Sequence, residues 1–143
     1  MGIDENVALV RRFASALNGR RVEEFPEIFA QDYILHDPGL PGGVAHGLGA
    51  IMEHTQMLYT GLPNFYTELQ DVIAEGDKVV GRFIHRGTHT GPMFGMPPSG
   101  HFVAVEAINI YRIANGKLAE AWGEVDTIGL LQQLGAMPST PST

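Results

Sequence analysis

The chain has 143 residues, 44% hydrophobic and 17% charged, the composition of one globular domain long enough to bury roughly 70% of its unfolded surface. Nine Lys and Arg stand against sixteen Asp and Glu, a net charge of -7, which lacks the cationic footprint that neutralises phosphates and argues against a nucleic-acid partner. There is no cysteine, so there is no disulfide, thiolate metal site or Cys nucleophile; no apolar run approaches the ~20 residues that span a bilayer, and Met1 to Asn6 lacks the pattern of a signal peptide. A cytoplasmic protein is expected.

Val7, Val10, Phe13, Ala14 and Leu17 recur at helical spacing behind Asp4 as N-cap, and Asn18-Gly19 ends the helix. Arg11, Arg12, Arg20 and Arg21 beside it read as a solvated face. A short second helix carries Val22, Phe25, Ile28 and Phe29, with Pro26 tolerable only in its first turn. Tyr33 to His36 is a short apolar strand that ends at Asp37-Pro38, before a Gly/Pro-rich loop over 39–43. A third helix holds Leu48, Ile51, Met52 and Leu58 and stops near Gly61.

From Phe65 the period changes to two. One strand runs to Ala74, Glu75-Gly76-Asp77 turns the chain, and a long strand covers 78–90. Pro92, Pro97 and Pro98 make 91–100 a loop. Strands over 101–113 and 117–125 flank Asn115-Gly116, a type I′ hairpin signal. Asp126 or Thr127 caps a last helix, 128–134, closed by Gly135. Helices followed by an antiparallel meander give an α+β fold in one domain over 1–137, with a flexible tail over 138–143.

Three segments carry a resemblance. They are Asn6 to Phe13 with Tyr33-Ile34-Leu35-His36-Asp37-Pro38; Arg86-Gly87-Thr88-His89-Thr90-Gly91 with Gly95 to Gly100; and Ile110 to Leu118 with Trp122 and Leu130 to Gly135. Together they resemble the SnoaL-like polyketide cyclases of the nuclear transport factor 2-like superfamily. The resemblance implies a cone-like, strongly curved antiparallel sheet, packed by three to four helices around a single pocket. It also implies a homo-oligomer, dimer or tetramer, and a small-molecule substrate. The chemistry implied is an intramolecular aldol condensation that uses no metal or cofactor, in which a side chain takes a proton from an activated carbon and the pocket stabilises the enolate.

The family's aspartate follows Glu-His-Trp on the last strand, where this chain reads Glu120-Ala121-Trp122-Gly123. Gly123 therefore takes the aspartate position, Ala121 that of the preceding histidine, Asn109 that of the histidine partner, and Leu35 that of a polar residue. Glu124 is adjacent, but one step along a strand reverses the face unless a β-bulge at Gly123 re-aims it. His36 and His89 are the candidate catalytic residues, because an imidazole exchanges protons near neutrality; their structural alternatives are packing at the pocket floor and ordering of the 91–100 loop. Candidate substrate contacts are Tyr33, Leu35, Asn109, Trp122, Gly123 and Glu124. The aromatics Tyr33 and Trp122 have core packing as their alternative, and Asn109, which both donates and accepts, has pocket lining as its role. His46 and His54 are eight apart, without the i, i+4 spacing of a zinc helix, so no metal is expected. Three readings follow: a cofactor-independent cyclase or isomerase acting on an apolar, carbonyl-bearing, polyketide-like substrate; a non-catalytic binding protein on the same fold; and, last, an epoxide-hydrolase-like hydrolase, for which Arg82 can be offered as the arginine but has no two aspartates to stand beside it.

Overall fold

The structure, a computed structural model, describes residues 2–138. The expected tail, past Pro138, lies outside the described residues. Helix α1 spans Ile3–Asn18, with Leu9, Val10, Ala14 and Leu17 buried. Gly2 stands at its N-cap, and Asp4 lies inside the first turn, where its charge meets the positive end of the helix. A 3-10 turn, Val22–Glu24, leads into a single helical turn, α2 (Phe25–Ile28). Strand β1 (Phe29–His36) begins at Phe29 rather than at Tyr33. Next come a short strand, β2 (Val44–His46), and helix α3 (Leu48–Gly61). The meander is β3 (Tyr66–Glu75), β4 (Lys78–Thr88), β5 (Phe102–Ala114) and β6 (Lys117–Val125). Helix α4 (Thr127–Gln133) closes it, capped by Asp126, whose carboxylate accepts from the Gly129 amide at 2.9 Å.

The strands form one sheet in the order β2-β1-β6-β5-β4-β3. All neighbours are antiparallel except β1 and β6, which pair in parallel. The expected wholly antiparallel sheet is thus corrected at one seam. β1 reaches β6 only after the rest of the meander, and a long connection of this kind permits parallel pairing. Register shifts fall between Phe29 and Ile34, between Leu69 and Asp71, and between Arg112 and Ile113 opposite β6. Shifts of this kind add local bend and twist, and the sheet curves into an unclosed cone with the helices on its inner side.

The core fills that inner side. Phe25, Phe29, Tyr33, Phe83 and Tyr111 are buried, and Phe13 of α1 reaches three of those rings, with centroids 5.9 Å from Phe25, 5.1 Å from Phe29 and 6.2 Å from Tyr111. Phe29 and Tyr33 meet edge to face at 4.7 Å. Each such pair adds about 0.5–1.5 kcal/mol beyond the area buried, so this cluster fastens α1 and β1 to the sheet.

The 91–100 loop folds back onto the end of α3. The Gly91 amide donates to the Gly61 carbonyl at 3.2 Å, and a Cβ at Gly91 would fall on the Thr60 carbonyl. Gly49, in α3, has open space around its Cβ position. Gly91→Ala is expected to destabilise the protein by about 2 kcal/mol or more. Gly49→Ala should be neutral or stabilising by a few tenths of a kcal/mol, up to ~1. Urea unfolding of both variants checks this contrast.

Candidate active site

The β4–β5 ladder runs from Lys78 opposite Arg112 to Thr88 opposite Phe102 without a shift. An unbroken ladder keeps the period of two, so alternate residues face opposite sides. Phe83, His85 and Gly87 of β4, and Val105, Ala107, Asn109 and Tyr111 of β5, form the inner rows. Ala121, Gly123 and Val125 continue them on β6, opposite Tyr111, Asn109 and Ala107. Most of these residues are buried, but His85, Asn109 and Val125 are only half-buried, as are Leu35 of β1 and His54 and Leu58 of α3. They face one another between α3 and the inner face, with Leu35 near Gly123 and His54 near His85, and we take the space between them as the candidate cleft. The inner rows of the sheet carry no carboxylate.

His85 is the titratable group of this inner face. Its ring stacks on Phe83, at 5.8 Å and 19°, and is tilted against Phe65 at 5.7 Å. Its Nδ1 lies 2.9 Å from the Thr67 hydroxyl, which is also 3.4 Å from the Ile84 carbonyl. Burial, with nearby His54 adding to it, lowers its pKa to about 4, because desolvation disfavours the imidazolium. His54 is lowered too, chiefly by burial, and Asp37 opposes that shift. Both imidazoles are therefore neutral near pH 7. The buried hydroxyls of Tyr33 and Tyr111 are pushed upward by desolvation and stay protonated.

Asn109 and Gly123 oppose each other in register. The Asn109 amide donates to the Tyr111 hydroxyl at 3.0 Å, while its Oδ1 would lie 2.8 Å from a Cβ at Gly123. The amide thus fills the space that a side chain at 123 would enter. Leu35 Cδ1 stands 3.8 Å from the same point. Leu35, Asn109 and Gly123 are thus brought together on the inner face.

The other candidates are elsewhere. His36 pairs with Trp122 on the outer face, where its Nε2 lies 2.7 Å from Glu120 and its ring stacks on Trp122 at 5.3 Å and 12°. Arg112 donates to the other Glu120 oxygen at 3.1 Å. His36 first, and then Arg112, hold the Glu120 carboxyl below its usual pKa. His36 is thus removed from the cleft by alternation: Leu35 takes the inner side and His36 the outer. Trp122 and Glu124 are removed in the same way. The ladder continues unbroken through Glu124, and the shift in β6 falls near Ala119, so no bulge at Gly123 re-aims the carboxylate. His89 is fully buried, with Nδ1 2.8 Å from the Ser99 hydroxyl and accepting from the Ser99 amide at 3.2 Å. It orders the loop and meets no open space. Tyr33 packs in the aromatic cluster at 2% exposure. Arg82 lies on the outer face, bonded to Asp71 at 2.6 Å and Glu106 at 3.3 Å, so the hydrolase reading loses its arginine. No group of three or more His, Asp or Glu able to hold a metal ion occurs among the described residues.

Two depressions open on other surfaces. One of about 770 Å³ lies among Asn6, Gly76, Asp77 and Asn115, and one of about 250 Å³ lies among Arg82, Ile108 and Glu124. Neither is lined by His85 or Asn109, the inward polar groups of the candidate cleft. His54 and His85 are the site residues that sequence reasoning missed. The signal available was the period of two that puts Phe83 and His85 on one face; His54 had no comparable mark.

A family model described as SnoaL-like polyketide cyclase matches residues 7–134. The chain is similar to aklanonic acid methyl ester cyclase of Streptomyces peucetius, 27% identical over 140 residues covering 94% of both chains. It is also similar to nogalonic acid methyl ester cyclase of Streptomyces nogalater, 28% identical over 126 residues covering 85% of this chain and 90% of that one. The solved structure of TsrD from Streptomyces laurentii superposes with a TM-score of 0.85 at 27% identity, covering 96% of this chain and 99% of that one.

Because the Asn109 amide occupies the space beside Gly123, the two positions are expected to be coupled. Gly123→Asp alone should destabilise, and Asn109→Ala should relieve part of that loss. A double-mutant cycle read by urea unfolding should give a coupling of about 0.5–3 kcal/mol; additivity would mean that the amide swings away freely.

Proposed function

Because the chain belongs to the SnoaL-like polyketide cyclase family, we propose that it is an enzyme that closes or isomerises a ring of an apolar, carbonyl-bearing, polyketide-like molecule by acid/base chemistry without a cofactor. The observation that carries this reading is the inward row of neutral hydrogen-bonding groups, His85, Asn109 and Tyr111, set in an otherwise apolar cleft. Such a cleft holds a largely apolar ligand by shape and orients it by a few polar anchors. An acidic C–H between two carbonyls loses its proton to a base, and the resulting enolate carbon adds to a second carbonyl carbon of the same molecule. The new alkoxide then takes the proton back. Atoms balance within one substrate, so no second reactant is required. The half-buried Asn109 amide, braced by the buried Tyr111 hydroxyl, offers a hydrogen bond to carbonyl oxygen, the kind of fixed dipole that lowers the energy of an enolate in a dry site. In this reading Gly123 takes the place of the family's aspartate, and the base lies elsewhere in the cleft.

A second reading, a binding protein without catalysis, has one observation in its favour: no carboxylate occupies the inner rows of the sheet. The two separate in heavy water. With planar aromatic β-keto esters, the enzyme reading expects deuterium to enter the acidic carbon about 10²-fold or more faster than in buffer, followed by NMR. Line broadening of the probe with exchange at the buffer rate would establish the binding protein instead.

The reading includes a homo-oligomer. Its support is the apolar outer face, where Ile110 and Trp122 are register partners, each 37% exposed, and Ile108 is 49% exposed. Sedimentation is expected to give a dimer or larger, and Ile110→Glu should shift it toward monomer. A wild-type monomer at every concentration would refute it.

A further inference from the structure

We infer that His85 is the proton acceptor of this site and that Thr67 is the residue that positions it; this rests on the proton-transfer reading above. The inner rows of the sheet carry no Asp or Glu, His36 lies on the outer face, and His89 is sealed against Ser99. Of the imidazoles, His54 and His85 remain inside. His85 is the one whose orientation is set. Its ring is held between Phe83 and Phe65, and Nδ1 is 2.9 Å from Thr67 Oγ1.

The contact with Thr67 engages Nδ1 and leaves Nε2 as the nitrogen turned toward the substrate. The Thr67 hydroxyl donates to the Ile84 carbonyl at 3.4 Å. In the tautomer that the inference requires, His85 carries its hydrogen on Nδ1 and donates it to the Thr67 oxygen 2.9 Å away, which leaves the Nε2 lone pair as the acceptor. A second group that orients the imidazole is the arrangement by which a histidine is prepared as a base. Burial keeps the ring unprotonated and ready to accept. A negative enolate forming beside it in the same low-dielectric space favours the imidazolium, so affinity for the proton rises as the proton arrives. In the step itself, the substrate C–H bond breaks and its proton bonds to Nε2. The enolate carbon forms the C–C bond, and the Nε2–H proton passes to the alkoxide.

The placement has a consequence for the substrate. Val105 is the register partner of His85, and Asn109 lies farther along β5 toward Tyr111. Four residues of strand separate the two, about 13 Å. Proton removal therefore occurs at one end of the cleft, and the Asn109 amide, braced by Tyr111, anchors a carbonyl at the other end of an extended molecule.

The test uses deuterium exchange of the planar aromatic β-keto esters with the full chain. His85→Gln, which keeps a partner for Thr67, and His85→Ala should each lose about 10²-fold or more of the wild-type acceleration. Added imidazole should restore part of the His85→Ala loss, a recovery that a purely structural role would not give. Thr67→Val should lower the rate and Thr67→Ser should restore it, while His36→Ala, on the outer face, should leave it unchanged. Wild-type acceleration that persists in both His85 variants would overturn the inference and leave the enzyme reading standing. Wild-type exchange at the buffer rate would overturn the enzyme reading, and the role of His85 with it.

Discussion

The unbroken β4–β5 ladder is the constraint on which the rest depends. Eleven consecutive pairs, from Lys78–Arg112 to Thr88–Phe102, admit no slip. A slip of β4 by one residue would turn Arg82, Ile84 and Arg86 inward and Phe83 and His85 outward. The cost of burying those charges without partners far exceeds the loss of a few cross-strand contacts. The ladder therefore sets the contents of both faces at once, and every assignment of a side chain to the cleft descends from it.

The distribution of charge follows. The carboxylates of the sheet face outward, where Glu120, Glu106 and Glu68 find Arg112, Arg82 and Arg86. The inner rows keep only groups that are neutral when desolvated: imidazole, amide and phenol hydroxyl. This matters for chemistry, because an unpaired carboxylate inside would need a partner of its own, whereas a neutral imidazole changes charge only during reaction. Asn109 and Gly123 belong to the same pattern. The amide oxygen lies where a side chain at 123 would begin, so the two positions form one packing unit.

The helices turn a curved sheet into a site. The Phe13, Phe25, Phe29, Tyr33 and Tyr111 rings hold α1 and β1 against one part of the inner face. Farther along, α3 covers the sheet with half-buried side chains, His54 and Leu58. Met93, buried at 3% exposure, and the bond from Gly91 to Gly61 carry the 91–100 loop back onto the end of α3.

Local pattern in the sequence determined the α+β class, the positions of α1 and α3, the meander, the Asn115-Gly116 turn and the Asp126 cap, because hydrophobic period, turn chemistry and capping act over a few residues. Strand alternation also put Ala121, Gly123 and Val125 on one face and Trp122 and Glu124 on the other; that Gly123 stands opposite Asn109 depends on the β6 register shift near Ala119. The tertiary structure alone decided that β1 joins β6 in parallel, which no local signal encodes. That seam pairs Leu35 with Ala121 and His36 with Trp122, placing the first inside and the second outside. It also decided that β6 shifts register near Ala119 and not at Gly123, that His89 is closed off by Ser99, and that His54 from α3 comes near His85 from β4. These last are contacts between residues far apart in the chain, set by how the helices close over a bent sheet, and periodicity along one segment holds no information about them.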